Sequence, residues 1–428
     1  MNEEFLQYLW RYHLFQNQIN SSEGKNIEII DTGEINYDAG PDFFNAKIRI
    51  DNTLWAGNVE IHINSSDWFK HKHHQNNSYN NIILHVVFED DAIVRRKNGE
   101  LIPCLELKGK FNKKLFFRYS DFMQSKSWIA CEMQFPDVDP FIINNWLDIL
   151  LIDRLKSKTE LMDRKLSINK NNWEKTFYEY LASNFGFKVN SDAFELLAKS
   201  LSMKYLAKHK NSIFQLEAML FGQAGLLNSN FIDEYPNQLF AEYQFLKNKF
   251  SIEPIDSHLW KFLRLRPSNF PTIRISQFAQ LISKSSGLFS KVLESENIDD
   301  LKKLFDLNAS EYWDTHYVFD KSSHRRKKRL GENSRNLIFI NTIVPFLFLY
   351  GLKKGNYAFK EKALTLLENI KGENNAIIKK WKSLGLDVKT SAKTQALIEL
   401  KNSYCQKKLC LHCRIGNFIL KQTEVIDD

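Results

Sequence analysis

Asp42 and Glu60 are the two side chains whose type and spacing point most directly to chemistry. They lie in GPDFFNAKIRIDNTLWAGNVEIH, Gly40 to His62. Asp42 stands where a turn enters one alternating segment, and Glu60 stands near the end of the next. A turn around Asp51-Asn52-Thr53 pairs the two segments antiparallel and brings the start of one beside the end of the other. Two carboxylates at one sheet edge are oxygen ligands suited to Mg²⁺ or Mn²⁺. Such an ion lowers the pKa of water and neutralises charge on a phosphodiester.

Histidines crowd the same stretch. Five of the 11, His62, His71, His73, His74 and His85, fall between positions 62 and 85. His71 and His74 are three apart at an expected helix end, so helical phase turns both towards one partner. His85 sits in an apolar strand, where a buried hydrogen bond satisfies one tautomer. With Glu60 nearby, His71, His74 and His85 suggest a transition-metal centre of imidazole and carboxylate; as imidazolium ions they would instead meet a phosphate.

A second constellation is Cys405-x4-Cys410-x2-Cys413. Thiolates hold Zn²⁺ tetrahedrally or carry iron–sulfur clusters, and a closed site needs four ligands. Cys131 is the candidate fourth ligand, with Cys104 behind it; the alternative is a set of ordinary reduced thiols. Two basic segments complete the inventory. Arg325, Arg326, Lys327, Lys328 and Arg329 follow His324 as an unbroken run, either a solvated loop or an arm on phosphates. Arg264, Arg266 and Arg274 alternate with Phe262 and Phe270 in FLRLRPSNFPTIR, a pattern that grips backbone and stacks bases or starts a helix at Pro271. Arg154 and Lys158 read as a surface pair.

These residues must be positioned by two regions of different pattern. Over residues 1 to about 125 a helix is expected at Glu3 to Gln16, then strands at Ile27–Asp31, Phe44–Asp51 and Leu54–Ile63. A short helix capped by Ser65/Ser66 follows, then a strand at Ile82–Glu89 and an Asn98-Gly99 turn. Beyond about 137 the periodicity is helical: Phe141–Arg164, Trp173–Phe185, Asp192–Lys208, Ser212–Leu227, Asp233–Lys249, Thr272–Ile282, Leu337–Leu352, Ala358–Ile370 and Ala376–Leu384. The fold class is therefore α+β, an α-β-β-β-α-β domain over 1–130 and a larger, irregular all-α region with the cysteine cluster over 131–428. At 428 residues, with 43% hydrophobic and 26% charged side chains, two domains are expected. A net charge of +8 permits a DNA or RNA partner without demanding one. The first residues lack a basic n-region, and Leu337–Leu352, broken by Asn341, Thr342 and Pro345, is short for a span. With an odd number of cysteines, the expectation is a cytoplasmic protein without membrane partner or disulfide framework.

Pro41-Asp42 followed by Glu60-Ile61-His62 in an α-β-β-β-α-β order resembles the PD-(D/E)XK nuclease-like superfamily, with its restriction-endonuclease-like fold. The resemblance implies that Asp42 and Glu60 bind metal, with the Ile61 carbonyl assisting. His62 stands where that pattern has lysine, and would orient or deprotonate water; Lys47 is a substitute for the missing charge, and Glu3 or Glu4 a third acid. Some nucleases of that superfamily carry three late cysteines and one early one, as here. More broadly, EIIDTGEINYDAGPDFFNAKI, GNVEIH, ILHVV, FGQAGLL, RLRPSNFPTIR and NTIVPFLFLYG resemble an uncharacterised bacterial domain family. Two functions follow as expectations. One is a metal-dependent phosphodiesterase or nuclease acting on nucleic acid; the other is a nucleic-acid-binding or scaffold protein whose nuclease-like domain has lost catalysis. A metallohydrolase built on the histidines is a third.

Overall fold

The computed structural model describes residues 1–285 and 287–422. The chain forms two compact units: Met1–Trp146 joined by the segment from Leu400 onward, and Leu147–Glu399. The expected boundary at 130 thus moves to 146, and the late cysteines return to the N-terminal unit. Within that unit Arg118 donates to the Ile419 carbonyl at 2.7 Å, and Lys408 and Lys401 donate to the Met123 and Trp128 carbonyls.

The N-terminal unit is built on a mixed sheet. Helix α1, Glu3–Tyr12, is capped by Asn2 and ends at His13 in the left-handed region, three residues before the expected Gln16. The strands are β1 Ile19–Asn20, β2 Asn26–Asp31, β3 Glu34–Ile35, β4 Phe43–Ile50, β5 Thr53–Asn64, β6 Ile82–Glu89 and β7 Cys104–Glu106. Their order is β1-β2-β4-β5-β6-β7, with β3 also paired to β4. β4 and β5 run antiparallel, whereas β5–β6 and β6–β7 are parallel. A parallel connection needs a crossover, here supplied by helix α2, Asp67–Lys70, and two single turns, His73–Gln75 and Asn77–Tyr79. β6 is buried along IILHVV, as a strand covered on both faces must be. Gly57 allows the close approach of β5 to the start of β6: a Cβ there would meet Ile83 Cγ2 at 2.4 Å and the Asn81 carbonyl at 2.8 Å.

The second unit is helical: it takes the long helix Pro140–Ile168 from Leu147 onward, then Trp173–Phe185, Ile213–Gln223, Glu234–Phe250, Pro271–Lys284 and others to Ser391–Glu399. The expected helix at Asp192–Lys208 is two helices, Phe187–Ser200 and Met203–Lys208, because Ser202 caps the second. The helix Glu332–Lys353 is long and apolar enough to cross a membrane by length and composition, but 67% of its apolar window is buried inside the protein. It passes through a π-turn at Phe339–Ile343. Pro345 accounts for this: it has no N–H for the Asn341 carbonyl, and its ring would clash there in a regular helix. Lys158 fills the irregularity, donating to the Asn341 side chain at 3.0 Å, to the Ile340 carbonyl at 3.5 Å and to Gln395 at 3.0 Å. Arg154 binds Gln395 and Glu399. Neither is the surface cation that spacing suggested, and burial pushes the Lys158 ammonium down to about 7.

Candidate metal centre

The loop before β4 is tied so that Asp42 enters the sheet at one fixed place. The Asn36 backbone N–H donates to the Asp42 carbonyl at 2.8 Å, and its side-chain amide donates to the Pro41 carbonyl at 2.9 Å and the Asp38 carbonyl at 3.1 Å. Gly40 carries the positive φ, 117°, that the turn needs. A bulge between Phe43 and Ala46, with Asn45 left-handed, then offsets β4 against β5. Asp42 and Glu60 interlock as a result. The Asp42 N–H donates to Glu60 Oε2 at 3.2 Å, and the Ile61 N–H donates to Asp42 Oδ2 at 2.9 Å. Gln7 of α1 donates to Asp42 Oδ1 at 2.9 Å.

Strand register places the histidines beside this pair. Glu60 lies opposite His85 and His62 opposite Val87, so Glu60, His62 and His85 project from one face. Glu60 is 5% exposed, His62 1% and His85 0%. His62 Nδ1 lies 2.8 Å from His85 Nε2, and His62 Nε2 lies 3.2 Å from His71 Nδ1. Glu60 Oε1 is 3.5 Å from His62 Nε2 and 3.2 Å from His73 Nε2. The tyrosine ring of Tyr79 stacks on His73 at 3.8 Å, and Trp68 packs 5.4 Å from both His73 and His85. One nitrogen each from His62, His71 and His73 lies within 4.8 Å of the other two.

The crossover fixes which histidines arrive. Helix α2 stops at Lys70, and Lys72 is left-handed, φ 61°. The chain therefore reverses within two residues, so that His71, though exposed, reaches His62 and His73 reaches Glu60. His74 does not join them; its Nε2 meets Gln75 and its ring lies against Phe69. The expectation of His71 with His74 assumed one continuous helix. Ser65 and Ser66 also act differently from the caps expected of them. Both hold Asp91, Ser65 at 3.1 Å and Ser66 at 2.8 Å, which anchors the start of α2 to the end of β6.

Electrostatics follow from crowding like groups out of water. Burial first, then the neighbouring Glu60, pushes the Asp42 carboxyl up to about 7. Burial pushes Glu60 up to about 8, against the Asp42 N–H that lowers it, with Glu3 raising it further. Burial and the adjoining His85, His73 and His71 push His62 down to about 2, so its imidazole is neutral. Glu3 is half-buried, and its raised carboxyl feels His71 and His73. Of the two acids considered on α1, Glu3 faces this centre, while Glu4 pairs with His412 at 3.4 Å. Lys47 is exposed and lies opposite Ala56. That is four residues short of Glu60 along β5, roughly 13 Å at the rise of a strand, so Lys47 does not supply charge beside Glu60.

A family model described as "Protein of unknown function (DUF2851)" matches residues 3–376. The chain belongs to that family. No curated protein and no solved structure matches it. The stretch shared with DUF2851 holds the whole acid–histidine centre and the basic segments, and ends before Cys405.

Elsewhere in this DUF2851 chain, Cys131, Cys410 and Cys413 are buried and Cys405 half-buried, and all are free thiols. Burial raises each thiol, and Cys131, Cys405 and Cys410 each feel Cys413. The Ile415 and Gly416 N–H groups bind the Cys413 sulfur. Cys104 lies apart on β7, opposite His85. In the helical unit the basic residues divide. Arg274 is 3% exposed, pairs with Gln277, Asn269 and Ser334 at 2.6–2.9 Å and stacks on Phe187. Lys328 is buried, donating to the Asp314 carbonyl at 2.8 Å over the Tyr317 ring. Neither is free to hold a nucleic acid, because each is spent on the unit's own carbonyls and amides. Arg264, Arg266, Arg325, Arg326, Lys327 and Arg329 remain exposed; Arg329 pairs with Asp306 at 2.8 Å, and Arg266 lines an open cleft of about 670 Å³ with Asn269 and Ser334.

Proposed function

We propose that this protein is a metal-dependent hydrolase of phosphodiester bonds in nucleic acid, acting through Asp42 and Glu60. The observation that carries the reading is their interlock across β4 and β5. Each accepts a backbone N–H from the other's strand segment, 3.2 and 2.9 Å long, so two acids are held together where β4 begins, beside the imidazoles of His62 and His73. The donor set fits a divalent cation, because it combines carboxylate oxygens whose pKa burial raises with the His62 and His73 imidazoles, whose protonation burial disfavours. A bound cation supplies charge neutralisation for the phosphate and acidifies water. The strand arrangement also supports a PD-(D/E)XK-like, restriction-endonuclease-like reading of the N-terminal unit, Asp42 just before one strand and Glu60-Ile61-His62 within the C-terminal half of the next.

The chain's own residues divide the remaining work. Gln7 and the Ile61 N–H orient Asp42. His62, held neutral and with a pKa pushed down to about 2, is too weak a base to take a proton from water, so its part is to donate a lone pair. Glu3, half-buried with a raised pKa, is the acid available as proton acceptor. Within the helical unit, taken by itself, Arg325, Arg326 and Lys327 are exposed and are the side chains proposed to meet a nucleic-acid backbone. The four thiols Cys131, Cys405, Cys410 and Cys413 are assigned to a zinc ion or an iron–sulfur cluster that braces the unit.

A specific observation favours a second reading. Where the nuclease pattern has a permanent cation this chain has a neutral histidine, as a binding protein without catalysis would tolerate. One assay separates them: linear, nicked and single-stranded DNA and RNA are incubated with Mg²⁺ or Mn²⁺ and wild type, Asp42→Ala or Glu60→Ala. The hydrolase reading expects cleavage that falls at least ~100-fold in each variant. Cleavage unchanged in both rejects this site, and salt-sensitive binding without turnover establishes the second reading.

A further inference from the structure

The histidines next to Glu60 do more than fill the core. We infer that His62 Nε2, His71 Nδ1 and His73 Nε2, with Glu60 Oε1, form a site for one imidazole-bound transition-metal ion of the zinc class, selective against magnesium. The site shares Glu60 with the proposed hydrolytic pair and draws its use from that reading, but the binding itself stands on separate geometry.

Two donors that bind one ion at about 2.1 Å lie roughly 3.4 Å apart at the tetrahedral angle. The pairs His62–His71, His73–Glu60 and His62–Glu60 are 3.2, 3.2 and 3.5 Å apart, and one nitrogen from each of the three imidazoles lies within 4.8 Å of the other two; Glu60 Oε1 adjoins His62 and His73. Without a cation the arrangement is poorly satisfied. His73 Nε2 is out of reach of solvent and makes no hydrogen bond; Glu60 Oε1 lies 3.2 Å away without hydrogen-bond geometry, and the side chain is only 10% exposed. Two facing imidazoles share at most one proton, so lone pairs are left pointing at one small volume. A cation resolves all of them together.

The surroundings suit a metal ligand. His85 Nε2 lies 2.8 Å behind His62 Nδ1; when His62 donates there, its Nε2 lone pair is directed at the centre, the outer contact that fixes the tautomer of a ligating imidazole. Tyr79 and Trp68 hold the His73 ring from two sides. His71 is exposed and leaves the ion a way in. Three nitrogens and one oxygen select zinc, cobalt, manganese or iron over magnesium, which prefers six oxygens and retains water.

The test uses the full chain, stripped with chelator, and reads binding rather than turnover. Co²⁺, Zn²⁺ and Mg²⁺ are titrated by calorimetry, and Co²⁺ by its visible absorption. The expected result is one Co²⁺ or Zn²⁺ held at least ~100-fold more tightly than Mg²⁺, with a nitrogen–oxygen cobalt spectrum; intense sulfur-to-cobalt absorption would report the cysteines instead. His73→Gln and His71→Ala should each weaken that binding at least ~100-fold, His85→Gln about 10-fold, and His74→Ala should leave it unchanged. Circular dichroism checks that each variant is folded. The inference is overturned if folded His73→Gln and His71→Ala bind Co²⁺ as wild type does, if only a sulfur-type spectrum forms, or if Mg²⁺ displaces Co²⁺ from the nitrogen–oxygen site as readily as Zn²⁺ does. A wild type that binds Co²⁺ as expected yet cleaves no nucleic acid would sink the hydrolase reading alone.

Discussion

Replacing Glu60 by glutamine should make the metal-free protein more stable, and increasingly so as the pH rises. Glutamine keeps the shape of the side chain and a carbonyl oxygen to accept the Asp42 N–H that Glu60 Oε2 takes at 3.2 Å, but it does not ionise. Glu60 is 5% exposed, and burial lifts its carboxyl from 4.5 to about 8. The folded protein thus binds this proton more tightly than the unfolded chain. Stability is then greatest below about 4.5 and is lost as the pH rises through 8. At 1.36 kcal/mol per pKa unit, the difference sets a ceiling of ~5 kcal/mol on what ionising Glu60 removes. Glu60→Gln should match wild type near pH 5 and exceed it by a few kcal/mol near pH 9. The Asp42 carboxyl, which Glu60 helps to raise, should fall in the variant. Hydrogen exchange of peptides covering Thr53–Asn64 in chelator-treated protein, corrected for intrinsic rate, reads the local stability across that range. Saturating Zn²⁺ should reverse the order, since it stabilises only the protein that binds it. Parallel pH profiles for variant and wild type would refute the argument that the site is strained by uncompensated charge.

Lys158 is lowered from 10.5 to about 7, so the folded state binds fewer protons and wild-type stability should rise between pH 7 and 10; Lys158→Met should flatten that slope in urea melts. Arg325, Arg326 and Lys327 replaced together by alanine should reduce the slope of log binding constant against log salt by up to ~2.7, at about 0.9 per phosphate contact, in fluorescence-anisotropy titrations with DNA or RNA. Arg274→Ala should lower the melting midpoint instead, by an amount equivalent to roughly 2–3 kcal/mol, because Gln277, Asn269 and Ser334 lose a buried charged partner. Gly416→Ala would drive a Cβ to 2.3 Å from the Cys410 carbonyl, so bound metal or visible absorption of anaerobically purified protein should fall with it, as with Cys131→Ser.

Much of the fold was legible because it rests on local pattern. The alternation of NAKIRI fixed β4, the apolar run IILHVV fixed the buried β6, and 3.6-residue spacing found Trp173–Phe185 to the residue. Short or mixed elements escaped: β1 and β3 are two residues each, and Leu288–Glu294 and Arg414–Lys421 carry too few residues to show a period. The boundary at 130 failed because composition changes there, whereas the chain's contacts change at Trp146. Arg154 and Lys158 looked like surface charges since spacing cannot reveal Gln395, which both meet, or Asn341, 183 residues on from Lys158.

The sequence by itself determined that Asp42 stands at the entry to one strand and Glu60 on the next, and that histidine is concentrated beside them. It could not say which histidines converge. One residue, Lys72 at φ 61°, decides that His73 rather than His74 meets Glu60, and register across a parallel strand pair decides that His85 stands behind His62. Both are tertiary facts. A left-handed lysine has no signature of its own, and two parallel strands joined by a crossover can pair in several registers until the packing of Trp68, Tyr79 and the apolar face of β6 allows only one.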